Sequence, residues 1–157
     1  MFNKILVPLD GSDLAGKVLP KAEDMAKSFK AQLVLLTVGS AAVGEIGESS
    51  PEVRTEAVAR LPAVEYLQET ATALRAKNLA ATWVYKQGTP APEIIAYAVG
   101  HRMNLIILGS HGAGEVAWLL GSVAHRVVSH SPVPVLLIRV LGPKLPEHKD
   151  ELDYFSM

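Results

Sequence analysis

Two glycine-containing loops hold the residues of this sequence whose types and spacing could bind a ligand. The first loop, Pro8–Ser12, places Asp10 between a short apolar run and a helical pattern. The second begins with Gly109–Gly112 and leads to Gly121 and Ser122 at a predicted helix start. Glycine lets a backbone approach a ligand closely, and amide groups at a helix N-terminus favour an anion. The two loops therefore predict a site for a small anionic molecule at the carboxyl ends of the preceding strands.

The second loop also begins two nucleotide-binding motifs that it does not complete. Gly109 and Gly114 have the spacing that opens a Walker phosphate loop. Glu115 and the valine after it stand where that loop requires a lysine and a serine or threonine, so the ATPase motif fails. A dinucleotide fingerprint starting at Gly112 lacks the acidic residue expected about twenty positions later. Neither motif identifies the ligand.

The histidines and hydroxyl groups do not form a catalytic or metal-binding set. Ser110 and His111 lack a third partner for a hydrolase triad. His111 lies in the ligand loop, where it would either contact a phosphate or line the turn. The sequence has five histidines without the spacing of metal ligands, so we predict no structural metal; they are His101, His111, His125, His130 and His148. We expect no demanding catalysis, and at most weak ATP hydrolysis.

Composition excludes several classes of partner. The chain has 157 residues, 49% of them hydrophobic, and a net charge of −1, so it has no basic field for nucleic acid. No apolar stretch approaches the ~20 residues of a membrane span, and the start does not resemble a signal peptide. Cysteine is absent, which excludes disulfides and thiol nucleophiles. We expect a cytoplasmic protein without membrane or nucleic-acid partners.

The elements that would position the two loops alternate between strand and helix. Residues 39–49 are expected to form a loop and residues 141–157 a tail, which leaves one domain over residues 1–140. Five segments are predicted strands, because they are continuously apolar or rich in strand formers: Ile5–Val7, Leu33–Leu36, Ala81–Tyr85, Leu105–Leu108 and Val135–Ile138. Helical periodicity covers roughly residues 15–29 with Pro20 inside, 51–77 with Ser50 as N-cap and Pro62 as a bend, 91–99 and 118–130. The order predicts an α/β protein with a doubly wound, five-stranded parallel sheet.

The core, about residues 3 to 140, resembles the universal stress protein family. The marks are the opening Ile5–Ser12, the Gly88–Pro90 segment before a helix, Gly109–Gly112 leading to Gly121–Ala124, and the closing Ser131–Leu136. The resemblance implies a Rossmann-like fold of the adenine nucleotide alpha-hydrolase type, with the five strands in the order 3-2-1-4-5. It also implies a stress-response module that binds AMP, ADP or ATP, with or without Mg²⁺.

The resemblance further implies roles for individual residues. Pro8 and Asp10 would border the adenosine, with Asp10 near the ribose, and the backbone of Val38 would contact the adenine. The phosphates would be held by Gly109, Gly112, Gly121 and Ser122 with the amides of Val123 and Ala124. Leu9, Ser12, Ser110 and His111 complete the predicted nucleotide site.

The phosphate loop departs from the family pattern. Nucleotide-binding members separate their second and third motif glycines by nine residues, whereas Gly112 and Gly121 enclose only eight, 113–120. The loop also carries Glu115 and no lysine or arginine, and a carboxylate near phosphates is unfavourable. An alternative is therefore an interaction module of the same fold that binds no nucleotide.

The implied strand order also places the last strand at an edge of the sheet. An apolar edge with free backbone groups invites pairing with a second chain. We expect a homodimer through residues 133–140, and an unidentified protein partner is compatible with a regulatory role.

Overall fold

The computed structural model describes residues 1–112 and 119–140, apart from the side chain of Arg54. Its strands are β1 (Lys4–Pro8), β2 (Gln32–Gly39), β3 (Glu45–Gly47), β4 (Ala81–Gln87), β5 (Leu105–Gly109) and β6 (Val135–Ile138). Its helices are α1 (Asp13–Gly16), α2 (Leu19–Phe29), α3 (Glu56–Ala59), α4 (Pro62–Ala76), α5 (Pro90–Gly100) and α6 (Ser122–His130), with a 3₁₀ turn at Pro51–Arg54. The predicted tail, residues 141–157, lies outside the described residues, as do residues 113–118 with Gly114 and Glu115.

The sheet confirms the predicted fold class. Its order is β3-β4-β2-β1-β5-β6, so the five predicted strands stand in the order 3-2-1-4-5. All pairs among those five are parallel. Adjacent side chains point to opposite faces, so each central strand is apolar on both. Ile5, Val7 and Leu33 belong to one core cluster, and Leu6 and Leu36 to the other.

One part of the strand prediction was wrong, because the sheet has six strands rather than five. The segment expected to be only a loop contains β3, which pairs antiparallel with β4 and places Ile46 opposite Tyr85. Ile46 is 1% exposed, and burial of this apolar side chain holds the segment on the sheet. Nearby, the Ala41 amide donates to the Tyr85 hydroxyl at 2.8 Å.

Proline determines where two of the predicted helices divide. Pro20 lies in the first turn of α2, which begins at Leu19 after the separate short helix α1. Pro62 likewise begins α4, because a proline ring is compatible with the first helical turn but not with the interior. Ser50 stands at the predicted N-cap position, but of the 3₁₀ turn at Pro51–Arg54, and its side chain makes no capping hydrogen bond. Its hydroxyl accepts instead from the Gly47 amide at 2.8 Å, which closes the turn after β3.

Within the described residues, no helix is long and apolar enough to cross a membrane.

Candidate functional site

The structure brings the two predicted loops together at the carboxyl edge of the sheet. β1 and β5 are neighbours, and a cleft of about 200 Å³ opens beyond their ends. Most of the predicted site residues line it: Pro8, Leu9, Asp10, Val38, Gly109, His111, Gly112, Gly121, Val123 and Ala124. Ser12, Ser110 and Ser122 do not line the cleft.

Five further residues line the cleft that the sequence analysis did not include. They are apolar: Ala15, Leu36, Pro90, Ile94 and Leu108. Leu36 and Leu108 lie near the ends of strands already predicted, and Pro90 begins α5. Leu36 and Leu108 could have been predicted from their positions near strand ends. Ile94 could have been predicted because it lies four residues after Pro90, on the same face of the helix. Together these residues give the cleft an apolar wall beside its polar loops.

Asp10 connects the two loops. Its Oδ1 accepts from the Ser12 amide at 2.9 Å and from the Ser12 hydroxyl at 2.5 Å. The Ser12 Oγ in turn accepts from the Ala15 amide at 3.1 Å and so caps α1. Asp10 Oδ2 lies against Gly112, so closely that a Cβ built on this glycine would be 2.7 Å from it. Any side chain at position 112 would therefore force the Asp10 carboxylate to move.

The negative charge of Asp10 affects the pKa of a tyrosine on the neighbouring helix α4. The pKa of the Tyr66 phenol on α4 is raised above its ordinary value, mainly by burial. A hydrogen bond with Thr70 lowers this pKa, whereas the charges of Asp10 and Asp13 raise it. Tyr66 is therefore protonated at neutral pH, and the charges of Asp10 and Asp13 both act on its phenol.

Ser110 and His111 form a buried hydrogen-bond network behind the second loop. The Ser110 hydroxyl oxygen accepts from the Val140 amide at 3.1 Å and lies 2.6 Å from His111 Nδ1. His111 Nε2 is hydrogen-bonded to the carbonyl oxygen of Leu119. Because a carbonyl can only accept, Nε2 carries a proton, and in the neutral ring Nδ1 accepts the Ser110 hydroxyl proton. Both ring nitrogens of His111 are thus hydrogen-bonded within the protein, to Ser110 and to Leu119.

The N-terminus of α6 faces the cleft. The first intrahelical bond of α6 runs from the His125 amide to the Gly121 carbonyl at 2.8 Å. The amides of Val123 and Ala124 precede this bond, in the helical turn that carries the positive end of the dipole. The Gly121 amide has a different role, since it donates to the Ser110 carbonyl at 2.9 Å. This arrangement can hold an anion through backbone groups.

Few charges line the cleft. Among the described residues that line it, Asp10 is the one acidic side chain, and none is a lysine or arginine. The described residues also contain no group of three or more histidines, aspartates or glutamates that could hold a metal ion. The arrangement is suited to binding an apolar ring with a modest anionic charge.

Comparisons with known proteins identify relatives over most of the chain. The universal stress protein family model matches residues 1–139. The universal stress protein YxiE of Bacillus subtilis (strain 168) is 35% identical over 150 residues, which cover 88% of this chain and 100% of that protein. The crystal structure of a universal stress protein in complex with cAMP matches with a TM-score of 0.66 at 22% identity, over 88% of this chain and 98% of that one. The Archaeoglobus fulgidus universal stress protein in complex with dAMP matches with a TM-score of 0.65 at 20% identity, over 88% and 100%. At these identities the structural matches show the shared fold.

Proposed function

This chain belongs to the universal stress protein family, and from that premise we propose that it is a regulatory module that binds an adenine nucleotide. The observation that carries the proposal is the cleft itself. It combines apolar walls, the Asp10 carboxylate and the N-terminus of α6 at the carboxyl ends of β1 and β5. The cAMP and dAMP complexes of proteins with the same fold support a ligand of this class.

Each part of the nucleotide matches a different part of the cleft. The flat adenine ring would pack between apolar side chains such as Leu36, Val38 and Ile94, where its burial is favourable. The ribose hydroxyls would donate to the Asp10 carboxylate. The phosphate would receive hydrogen bonds from the amides of Val123 and Ala124 and benefit from the helix dipole of α6.

The charge of the loops favours a nucleotide with few phosphates. Neither Pro8–Ser12 nor Gly109–Ala124 contains a lysine or arginine, and the latter segment includes Glu115. A helix N-terminus supplies only roughly half a positive charge, which cannot balance a triphosphate. We therefore expect AMP or ADP to bind at least as tightly as ATP, and the proposal does not require Mg²⁺.

Isothermal titration calorimetry with adenosine, AMP, ADP and ATP tests the proposal. We expect AMP to bind more tightly than adenosine, because only AMP uses the amides of α6. ATP binding tenfold more tightly than AMP, a difference of about 1.4 kcal/mol, would contradict the charge argument. If none of the four ligands binds, the chain is instead the interaction module that the shortened, acidic loop favours.

We further propose that the module acts in the cytoplasm in a stress response, as a homodimer joined through residues 133–140. The support for the dimer is the position of β6 at the end of the sheet order, with β5 on one side. Its residues Val135–Ile138 are all apolar and all partly exposed.

A further inference from the structure

Ser110 and His111 are more deeply buried than is usual for polar side chains at a ligand site. Ser110 is 0% exposed and His111 is 3% exposed. A histidine that binds a phosphate must direct a ring N–H at it. In His111 that N–H is bonded to the Leu119 carbonyl, and the other ring nitrogen faces Ser110. If His111 donated to a phosphate, its existing hydrogen bond to the Leu119 carbonyl would have to break.

The network joins segments that lie far apart along the chain. His111 connects the start of the second loop to Leu119, near its end. The Ser110 carbonyl accepts from the Gly121 amide, directly before α6. On the side of the edge strand, the Ser110 amide donates to the Ile138 carbonyl at 2.8 Å, and its hydroxyl accepts from Val140. Two adjacent residues therefore fix both ends of the loop and attach them to the end of β6.

We propose that Ser110 and His111 are positioning residues, which hold the N-terminus of α6 at the cleft and do not themselves contact the nucleotide. The proposal rests on the nucleotide function given above. A loop rich in glycine loses much conformational freedom when a ligand orders it. A loop held in its binding geometry beforehand avoids that cost and binds more tightly. The pair thus acts on the phosphate through the amides of Val123 and Ala124.

Two substitutions separate positioning from contact. His111→Phe keeps an aromatic ring but removes both of its hydrogen bonds, and Ser110→Ala removes the bonds to His111 and Val140 without altering a residue that lines the cleft. We expect each to weaken AMP binding by about tenfold, since each removes net stabilisation from the loop. In Ser110→Ala, adenosine affinity should change less than about twofold, because adenosine does not use α6. The double variant should bind AMP about as well as either single variant, because the residues act as one unit.

A conservative variant and a control complete the design. His111→Gln keeps a donor for Leu119 and should recover most of the AMP affinity. Thr37→Val changes another buried hydroxyl, which has no hydrogen-bond partner within the described part of the chain, and should leave AMP affinity unchanged. Hydrogen exchange of the Gly121 and Val140 amides in ligand-free protein supplies a readout that does not depend on the nucleotide. Positioning predicts faster exchange at both amides in His111→Phe.

AMP binding by the two single variants decides whether Ser110 and His111 are positioning residues. Normal AMP binding by His111→Phe would overturn the proposal, as would a loss confined to His111→Phe with normal binding by Ser110→Ala. If the wild-type chain binds no AMP, the nucleotide function fails. The amide exchange rates of the ligand-free protein then still test positioning. Equal rates at Gly121 and Val140 in the wild type and in His111→Phe would refute it. If circular dichroism shows that His111→Phe is unfolded, Ser110→Ala carries the comparison of AMP with adenosine, and amide exchange at Gly121 and Val140 is measured in that variant.

Discussion

The two carboxylate oxygens of Asp10 contact different loops. Oδ1 accepts from the amide and hydroxyl of Ser12, and Oδ2 lies against Gly112. Asp10 thus organises the first loop and sets how closely the second loop can approach. Its side chain is exposed, so a ligand can also reach it. We therefore expect Asp10 to contribute both to ligand binding and to the stability of the local turn. Substitution of Asp10 can separate the two effects.

Replacing Asp10 with alanine should abolish AMP binding while leaving the fold intact. The lost bonds to Ser12 are those of an exposed turn and should cost about 1 kcal/mol, which corresponds to a melting temperature lower by roughly 2–4 °C. Calorimetry and thermal unfolding measure the two effects. Asp13→Ala, an exposed carboxylate in the first turn of α1 that does not line the cleft, is the matched control and should bind normally. Unchanged AMP binding by Asp10→Ala would place the ligand elsewhere.

Gly112 allows a second test of the contact between the loops. In Gly112→Ala the new Cβ would be 2.7 Å from Asp10 Oδ2, so this carboxylate must move. We expect AMP affinity to fall by about tenfold, a change of about 1.4 kcal/mol, with little change in stability. Gly100→Ala at the end of α5, where a Cβ meets nothing within 4 Å, is the control. Equal AMP affinity for both variants would show that the position of Asp10 does not matter for binding.

At the scale of the elements, apolar runs and proline determined what the sequence could predict. Continuous runs such as Leu33–Leu36 identified the parallel strands, since strands covered on both faces do not alternate. The boundaries at Pro20 and Pro62 needed the structure, because a proline can bend a helix or begin one. β3 escaped prediction, because three residues with one apolar side chain, Ile46, carry no periodicity. Its pairing depends on tertiary contacts with Tyr85 and the core.

Dependence on tertiary contacts also limited what the sequence could predict about the cleft. Glycine and Asp10 marked the polar loops, because those residue types end apolar strand runs and allow a backbone to approach a ligand closely. The apolar wall at Leu36 and Ile94 was not predicted, because both side chains also pack in the core, and only their positions at a strand end and four residues after Pro90 set them apart. The network of Ser110 with Val140 also joins residues 30 positions apart, which no local pattern reveals.

Ile46 should stabilise the edge of the sheet without affecting the ligand. Ile46→Ala removes a side chain that is 1% exposed and packs in the core, which typically costs about 2–5 kcal/mol. Urea unfolding measures the loss, and AMP affinity should remain normal because Ile46 does not line the cleft. Val99→Ala, at a position that is 51% exposed, should change stability by less than about 0.5 kcal/mol. A similar loss in both variants would mean that β3 does not depend on buried Ile46.

At the scale of the whole molecule, the direction of the backbone groups in β6 identifies which of them could pair with a second chain. The Pro134 carbonyl accepts from the Ile106 amide of β5, and the Ile138 carbonyl accepts from the Ser110 amide directly after β5. Alternate residues of a strand direct their backbone groups to opposite sides, so Val135 and Leu137 direct theirs away from β5. Among the described elements, none pairs with this outer side of β6. Unpaired backbone groups on an apolar edge favour association with a second copy of the chain, and a two-fold axis gives a closed pair.

Leu137→Pro tests this dimer. Proline removes the amide N–H of Leu137, which faces the outer edge, and should leave the bonds between β6 and β5 in place. Light scattering at micromolar concentration should give twice the chain mass of 16.8 kDa for the wild type and a shift towards the monomer for the variant. Leu137→Ala keeps the N–H and should remain dimeric, and circular dichroism verifies that both variants fold. A wild-type particle of monomer mass would end the proposal. A dimer that survives Leu137→Pro would place the interface on another surface.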